Sequence, residues 1–137
     1  MKIAILTSGI LPVPAVLGGA VENLIDYYIE YNNQEKLHDI TVYSIALPPS
    51  SSIADTANTH YHYIDTTSFW GRLKRHIYVR THSSTYYDPY IEYFLHESLK
   101  DIAQKEYDII ILENRPGYAI PVSKVSKAKI IIHLHND

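Results

Sequence analysis

The chain has 137 residues, is 46% hydrophobic and carries a net charge of -3, which suffices for one domain with a real core and leaves no basic footprint for a nucleic acid. It contains no cysteine, so disulfides, thiolate metal sites and cysteine nucleophiles are excluded together, as fits a reducing compartment. No apolar run approaches the roughly 20 residues of a membrane span, and the amino terminus enters a strand with no charged and apolar leader before it, so the expected location is the cytoplasm.

Ile3 to Leu6 form a short apolar run between Lys2 and Thr7-Ser8-Gly9, the pattern of a strand covered on both faces. From Val21 the period changes. Val21, Leu24, Ile25, Tyr28 and Ile29 share one helical stripe, with Glu22, Asn23, Asp26 and Glu30 off it. Gly18-Gly19 stands immediately before this helix, where unobstructed backbone N–H groups and a helix amino terminus suit a phosphate. The plainer reading is a turn into the helix, with Glu22 complementing its dipole. Neither a G-x-G-x-x-G nor a Walker loop is present, so dinucleotide and nucleoside-triphosphate motifs are unsupported.

Asn32-Asn33-Gln34 closes the helical pattern, and Ile40 to Ile45 is a β-branched run expected to be the second strand. Leu47-Pro48-Pro49 with Ser50 to Ser52 reads as a mobile loop. His60 to Ile64 alternates histidine with tyrosine, as on a half-exposed edge strand. Its histidine pair has no acidic partner at ligand spacing and reads as surface imidazoles. Phe69, Trp70, Leu73 and Ile77 mark a stripe of the next helix, with Arg72, Lys74, Arg75 and Arg80 mostly off it. This basic cluster is either a solvated face or a contact with an anionic membrane surface through Arg72, Lys74 and Arg75. After Ser83 to Tyr87, Asp88 and Pro89 open a clearer helix with Ile91, Phe94, Leu95, Leu99 and Ile102 on its buried stripe, ending near Lys105.

Asp108 to Leu112 is a buried strand running into the polar tip Glu113-Asn114-Arg115. A short helix over Tyr118 to Val125, with Pro121 in or near its first turn, leads to a fifth apolar strand, Lys129 to Leu134, and the end His135-Asn136-Asp137. Strands alternating with helices predict an α/β, Rossmann-like, three-layer domain whose parallel sheet has the order 3-2-1-4-5. In such sheets ligands bind beyond the carboxyl ends of the strands, where strand order reverses. Ser8 to Gly19, Glu113 to Arg115 and His135 to Asp137 meet there.

The opening KIAILTSG, Pro14 with GGAVENL over Gly18 to Leu24, YDIIILENRPGY and KAKIIIHLHND together resemble the amino-terminal, acceptor-side domain of the family 4 glycosyltransferases, enzymes of the two-domain GT-B fold. The resemblance spans residues 1–137. It implies transfer of a sugar from a nucleotide-sugar donor to the hydroxyl of a sugar or lipid-linked acceptor, with retention of configuration and without a metal or other cofactor, in polysaccharide or glycoconjugate synthesis. It also implies that Gly18 and Gly19 approach the donor diphosphate, that His135 is catalytic, and that Glu113, Asn114, Arg115, Asn136 and Asp137 face the acceptor. For His135 a structural hydrogen-bonding role stays open beside the catalytic one.

This chain departs from some relatives in carrying Glu113-Asn114 where they have a histidine. It also lacks the carboxy-terminal donor-binding domain with its paired glutamates, so the fragment alone is expected to be inactive. Two other readings remain. His133-x-His135-x-Asp137 has the spacing of a zinc hydrolase motif, although His133 is expected inside the sheet layer. A Rossmann-like binding or regulatory module needs no catalysis at all.

Overall fold

A computed structural model describes residues 1–48, 51–83 and 87–135. Pro49 and Ser50 of the proline-serine loop, Ser84 to Tyr86, and Asn136 and Asp137 lie outside the described residues. The elements run β1 Lys2–Leu6, α1 Ala20–Glu35, β2 Asp39–Ile45, β3 Thr59–Ile64, α2 Phe69–Thr81, α3 Pro89–Ile102, β4 Ile109–Glu113, a 3₁₀ turn Pro116–Tyr118, α4 Ala119–Val125 and β5 Lys129–His133. All strand pairs are parallel, in the predicted order β3-β2-β1-β4-β5.

The crossovers explain the two layers of helix. From β1 to β3 the chain steps one way across the sheet, with α1 covering one face. The link into β3 stays on that side, because Asn33 of α1 accepts hydrogen bonds from Thr56 at 3.0 Å and Thr59 at 2.7 Å. To reach β4 it steps back past β1, and right-handed connection then requires the opposite face, where α3 and α4 lie. Ile3, Ile5, Val13, Ile25, Ile29, Ile40 and Val42 make the core under α1. Ala4, Leu6, Tyr43, Phe94, Ile102, Ile110, Leu112, Tyr118 and Val122 belong to the larger core on the other face. Alternate residues of β1 and β4 feed the two cores, which is why both strands read as unbroken apolar runs.

Two stripes differ from expectation. On α1 the buried residues are Glu22, Ile25, Ile29 and Asn32, while Tyr28 is 39% exposed. The stripe is rotated because polar side chains do structural work inside it. Asn32 exchanges two hydrogen bonds of 2.9 Å with the backbone of His38, closing the turn into β2. On α2 only Gly71 is buried, and the apolar residues of the predicted stripe face outward. A side chain at Gly71 would meet the backbone oxygen of Asp65 at 2.6 Å. The helix is therefore seated by its smallest residue, and its large side chains are turned away.

The histidines of β3 do have acidic partners, brought from distant parts of the chain. His60 lies 3.4 Å from Asp39 and 3.3 Å from Asp55 through its two different ring nitrogens, and His62 lies 3.5 Å from Asp101. The carboxylates at His60 sit on opposite edges of the ring, an arrangement for hydrogen bonding and not for convergence on an ion.

Inside the larger core the Tyr43 hydroxyl is 2.7 Å from both Asp101 and the Tyr107 hydroxyl. Burial and these two partners raise the Tyr43 ionisation far above the ordinary tyrosine range. For Asp101, burial pushes upward but is outweighed by hydrogen bonds from Tyr43 and Lys105 and by the His62 charge, so its ionisation is lowered from 3.8. A lowered folded value stabilises the fold above the ordinary aspartate range, and that contribution is lost as pH falls through it. Tyr43→Phe is expected to cost about 1–2 kcal/mol in urea unfolding at neutral pH, and to flatten the loss of stability on acidification.

Candidate functional site

Three chain segments converge at the carboxyl ends of β1, β4 and β5. The first is the loop from Ser8 to Gly19, which is fastened at several points. The Val13 amide donates to Ser44 Oγ at 2.8 Å, Tyr63 donates to the Val13 carbonyl at 3.0 Å, and the Ala15 amide donates to Asp26 at 2.8 Å. Burial raises the Asp26 ionisation, and the Ala15 bond opposes that rise. Gly18 and Gly19 have φ of +81° and +108°, which only glycine adopts without strain. Gly19 is the N-cap of α1 with no side-chain cap, so the first-turn N–H groups of that helix are left for another acceptor.

The Glu22 carboxylate folds back over Gly19, where a Cβ would come within 2.1 Å of its oxygen. Gly18 has open space around it. Access to a diphosphate is therefore freer at Gly18 than at Gly19. The expectation that Glu22 lies on the outer side of α1 is corrected: it is 5% exposed and lines the loop.

The second segment is the tip of β4. Ile109 and Ile111 pack into the core under α1, and strict alternation sends Glu113 to that same face. Glu113 is 1% exposed. Its register partner on β5 is His133, and His135, two residues on, shares the face. His135 Nε2 lies 2.6 Å from Glu113 Oε2, and His133 Nδ1 lies 3.4 Å from the same oxygen. A carboxylate oxygen only accepts, so His135 donates through Nε2 and keeps the Nδ1 lone pair for another proton.

Asn114 explains why His135 stands where it does. Asn114 has φ of +58°, a left-handed conformation that asparagine tolerates better than most residues. In that turn its amide donates to the His133 carbonyl at 2.9 Å, while its side-chain oxygen accepts from the His135 amide at 2.8 Å. Asn114 is thus spent on holding β5. Arg115 is also committed: its Nε donates to the Ser8 carbonyl at 3.3 Å and its guanidinium lies 5.0 Å from the Tyr87 ring. Tyr118 donates to the same Ser8 carbonyl at 3.2 Å, and burial raises its ionisation although the Arg115 charge opposes this. Arg115 and Tyr118 together tie the β4 tip to the loop after β1.

The structure thus brings Glu113, Asn114 and His135 together at the same end of the sheet as Gly18 and Gly19, with Glu113 and His135 on the α1 face, whereas the Arg115 side chain turns toward Tyr87 and Tyr118 of the larger core. Asn136 and Asp137 lie outside the described residues. His133 is not inside the sheet layer. It is partly exposed on the α1 face, where Tyr28 stacks on it at 6.5 Å, and burial with the Glu113 charge raises the Tyr28 ionisation. The carboxylate partner of the H-x-H pair is therefore Glu113. The signal for it was available: in a 4-5 strand pairing, the last residue of β4 stands opposite the first histidine of β5.

Glu113, His133 and His135 also form a group whose ligand atoms lie within 4.8 Å of one another. Tetrahedral zinc with bonds near 2.0–2.1 Å needs its ligand atoms about 3.3 Å apart. The 2.6 Å hydrogen bond between His135 and Glu113 would have to open before an ion entered.

A separate cavity of about 850 Å³ lies at the opposite end of the sheet, lined by residues such as Met1, Lys2, Asp39, Asp108 and Lys127. It sits at the amino ends of the strands, however, away from the glycine loop and the switch in strand order, so the carboxyl end is the better candidate.

No protein-family model matches the chain. Over its whole length it is 25% identical to a Bacillus subtilis (strain 168) protein described as "Putative glycosyltransferase YtcC", of which it spans 27%. This weak likeness supports a glycosyltransferase-like relationship. The chain corresponds to about a quarter of that relative.

The dyad has a direct spectroscopic check. Long-range ¹H–¹⁵N NMR of His135 is expected to show the Nε2–H tautomer, and Glu113→Ala is expected to convert it to a solvent-like mixture. An unchanged tautomer would show that Glu113 does not set it.

Proposed function

We propose that this chain is the acceptor-side half of a glycosyltransferase that moves a sugar from a nucleotide-sugar donor to an acceptor hydroxyl, with retention of configuration, as one Rossmann-like half of a GT-B enzyme. The observation that carries the reading is the Glu113–His135 dyad on the same end and face of the sheet as an uncapped helix amino terminus entered through Gly18-Gly19. The weak likeness to a protein described as a glycosyltransferase supports it.

The chemistry follows from the two parts. Departure of a nucleoside diphosphate builds negative charge, and backbone N–H groups with the helix dipole act best on charge that grows in the transition state. At the other part, Glu113 fixes the His135 tautomer so that the Nδ1 lone pair is left to orient the acceptor hydroxyl or take its proton. Asn114 acts through His135 as a positioning residue. The remaining contacts to base and donor sugar belong, in this reading, to a second domain, and the 137-residue chain alone is expected to transfer nothing. The acceptor is a sugar or lipid-linked sugar, and no metal takes part.

In the natural polypeptide, His135→Ala is expected to lower kcat about 100-fold or more while leaving donor affinity within a factor of two or so. Gly18→Ala, which faces open space but has φ of +81°, is expected to weaken donor binding through roughly 1–2 kcal/mol of backbone strain. Wild-type turnover in His135→Ala would overturn the role of the dyad.

The Glu113, His133 and His135 group favours a second reading, a zinc-dependent hydrolase in which these residues hold the ion and a bound water is the nucleophile. Stoichiometric zinc in the purified protein, lost in His133→Ala, would establish it. Its absence after zinc loading leaves the transferase reading.

A further inference from the structure

We infer that α2 is a docking surface for an anionic lipid bilayer, lying in the interface with Phe69, Trp70, Leu73 and Ile77 against the lipid. The inference stands on the exposed face of this helix and is independent of the transferase reading.

Phe69 and Trp70 are 73% and 67% exposed, and Leu73 and Ile77 are 39% and 52% exposed. At 100° per residue these four positions cover one arc of about 100°. Gly71, Tyr78 and Val79 lie on the opposite side, toward α3. A soluble helix normally does the reverse, burying its largest apolar residues. Here the large residues form one contiguous outward stripe, with Phe69 and Trp70 in edge-to-face contact at 5.4 Å.

Charge identifies the occupant. Arg72 and His76 lie along one flank of the stripe, Arg80 falls within its arc in the last turn of the helix, and Lys74 stands on the other flank. All four are exposed. The helix holds four of the 12 Lys and Arg residues and no acidic residue, in a chain whose net charge is -3. A stripe of aromatic and aliphatic side chains bordered by Arg72, Lys74 and Arg80 matches the apolar boundary and anionic headgroups of a bilayer. An apolar protein partner would offer Arg72 and Arg80 no counter-charge, which anionic headgroups supply.

Arg75, named with the basic cluster on sequence grounds, is not part of this face. Its guanidinium lies 4.9 Å from the Tyr90 ring, turned toward α3. Arg80 takes its place. Among the described residues no helix is long and apolar enough to cross a membrane, so α2 lies on the surface.

The helix is held in this orientation by its start. Ser68 accepts from the Gly71 amide at 3.1 Å, and Asp65 accepts from the amides of Thr67 at 3.1 Å and Ser68 at 3.0 Å. These bonds fix the amino-terminal turn of α2, so Phe69 and Trp70 are already presented outward before any contact.

Trp70 is the sole tryptophan of the chain and reports on the contact directly. With vesicles of phosphatidylcholine and phosphatidylglycerol, its emission is expected to shift to the blue and become protected from a soluble quencher. Vesicles of phosphatidylcholine alone are expected to bind at least ten-fold more weakly. Each basic side chain near such a surface contributes roughly a factor of five, so the triple variant Arg72→Gln, Lys74→Gln, Arg80→Gln is expected to lose about 100-fold in affinity.

Phe69→Ser with Trp70→Ser changes only exposed residues. In co-sedimentation of the natural polypeptide it is expected to lose vesicle binding with an unchanged far-UV circular dichroism spectrum. Wild-type protein that ignores anionic vesicles would overturn the proposal, as would equal binding to neutral ones. So would concentration-dependent dimers in ultracentrifugation that the same double variant abolishes without affecting vesicle binding.

Discussion

A carboxylate that is 1% exposed costs several kcal/mol to hold in a protein unless a partner satisfies it. At Glu113 that partner is the imidazole of His135, 2.6 Å away. The pairing depends on the register between β4 and β5, which sets Glu113 opposite His133, and on Asn114, whose left-handed turn returns two hydrogen bonds to β5. The register rests in turn on the two cores that sandwich β1 and β4. A one-residue slip of β5 would carry both histidines to the other face and leave Glu113 buried without its hydrogen-bond donor.

The architecture was legible because its signals are local and repeated. Short β-branched runs separated by helical stripes predict a parallel sheet, and handedness then leaves few orders, of which 3-2-1-4-5 is the one present. The turn at Gly18-Gly19 was legible too, since a strand-to-helix turn at two glycines is expected to use positive φ, and both adopt it. The pairing of Glu113 with His135 was legible only through the β4–β5 register, not from the residues themselves. Both residues stood at the expected end of the sheet, but their contact follows from the register of two strands that are joined through a 3₁₀ turn and a helix.

The faces of two helices were misread for a common reason. Periodicity locates a stripe but does not say which way it points when large residues have a use outside the core. On α1, Glu22 and Asn32 sit on the buried side because each has a backbone or loop to order. On α2, Gly71 takes the buried position beside Asp65, and the apolar stripe is left outside. The histidines of β3 are the surface imidazoles expected on an edge strand, but their carboxylate partners were hidden from the sequence because Asp39, Asp55 and Asp101 come from three separate segments. The edge strand β5 shows the same limit, with Ile131, Ile132 and Leu134 all more than a third exposed despite an apolar run that reads as core.

The central claim is that the Nδ1 edge of His135, tautomer set by Glu113, is where an acceptor hydroxyl is handled. A crystal structure of the natural polypeptide with a nucleoside diphosphate and an acceptor sugar tests it most directly. The account requires the hydroxyl within about 3.2 Å of His135 Nδ1, with the diphosphate on the amino terminus of α1 beside Gly18. An acceptor seated elsewhere, with His135 still closed against Glu113 and facing no ligand, would make the dyad a structural clamp and contradict the account.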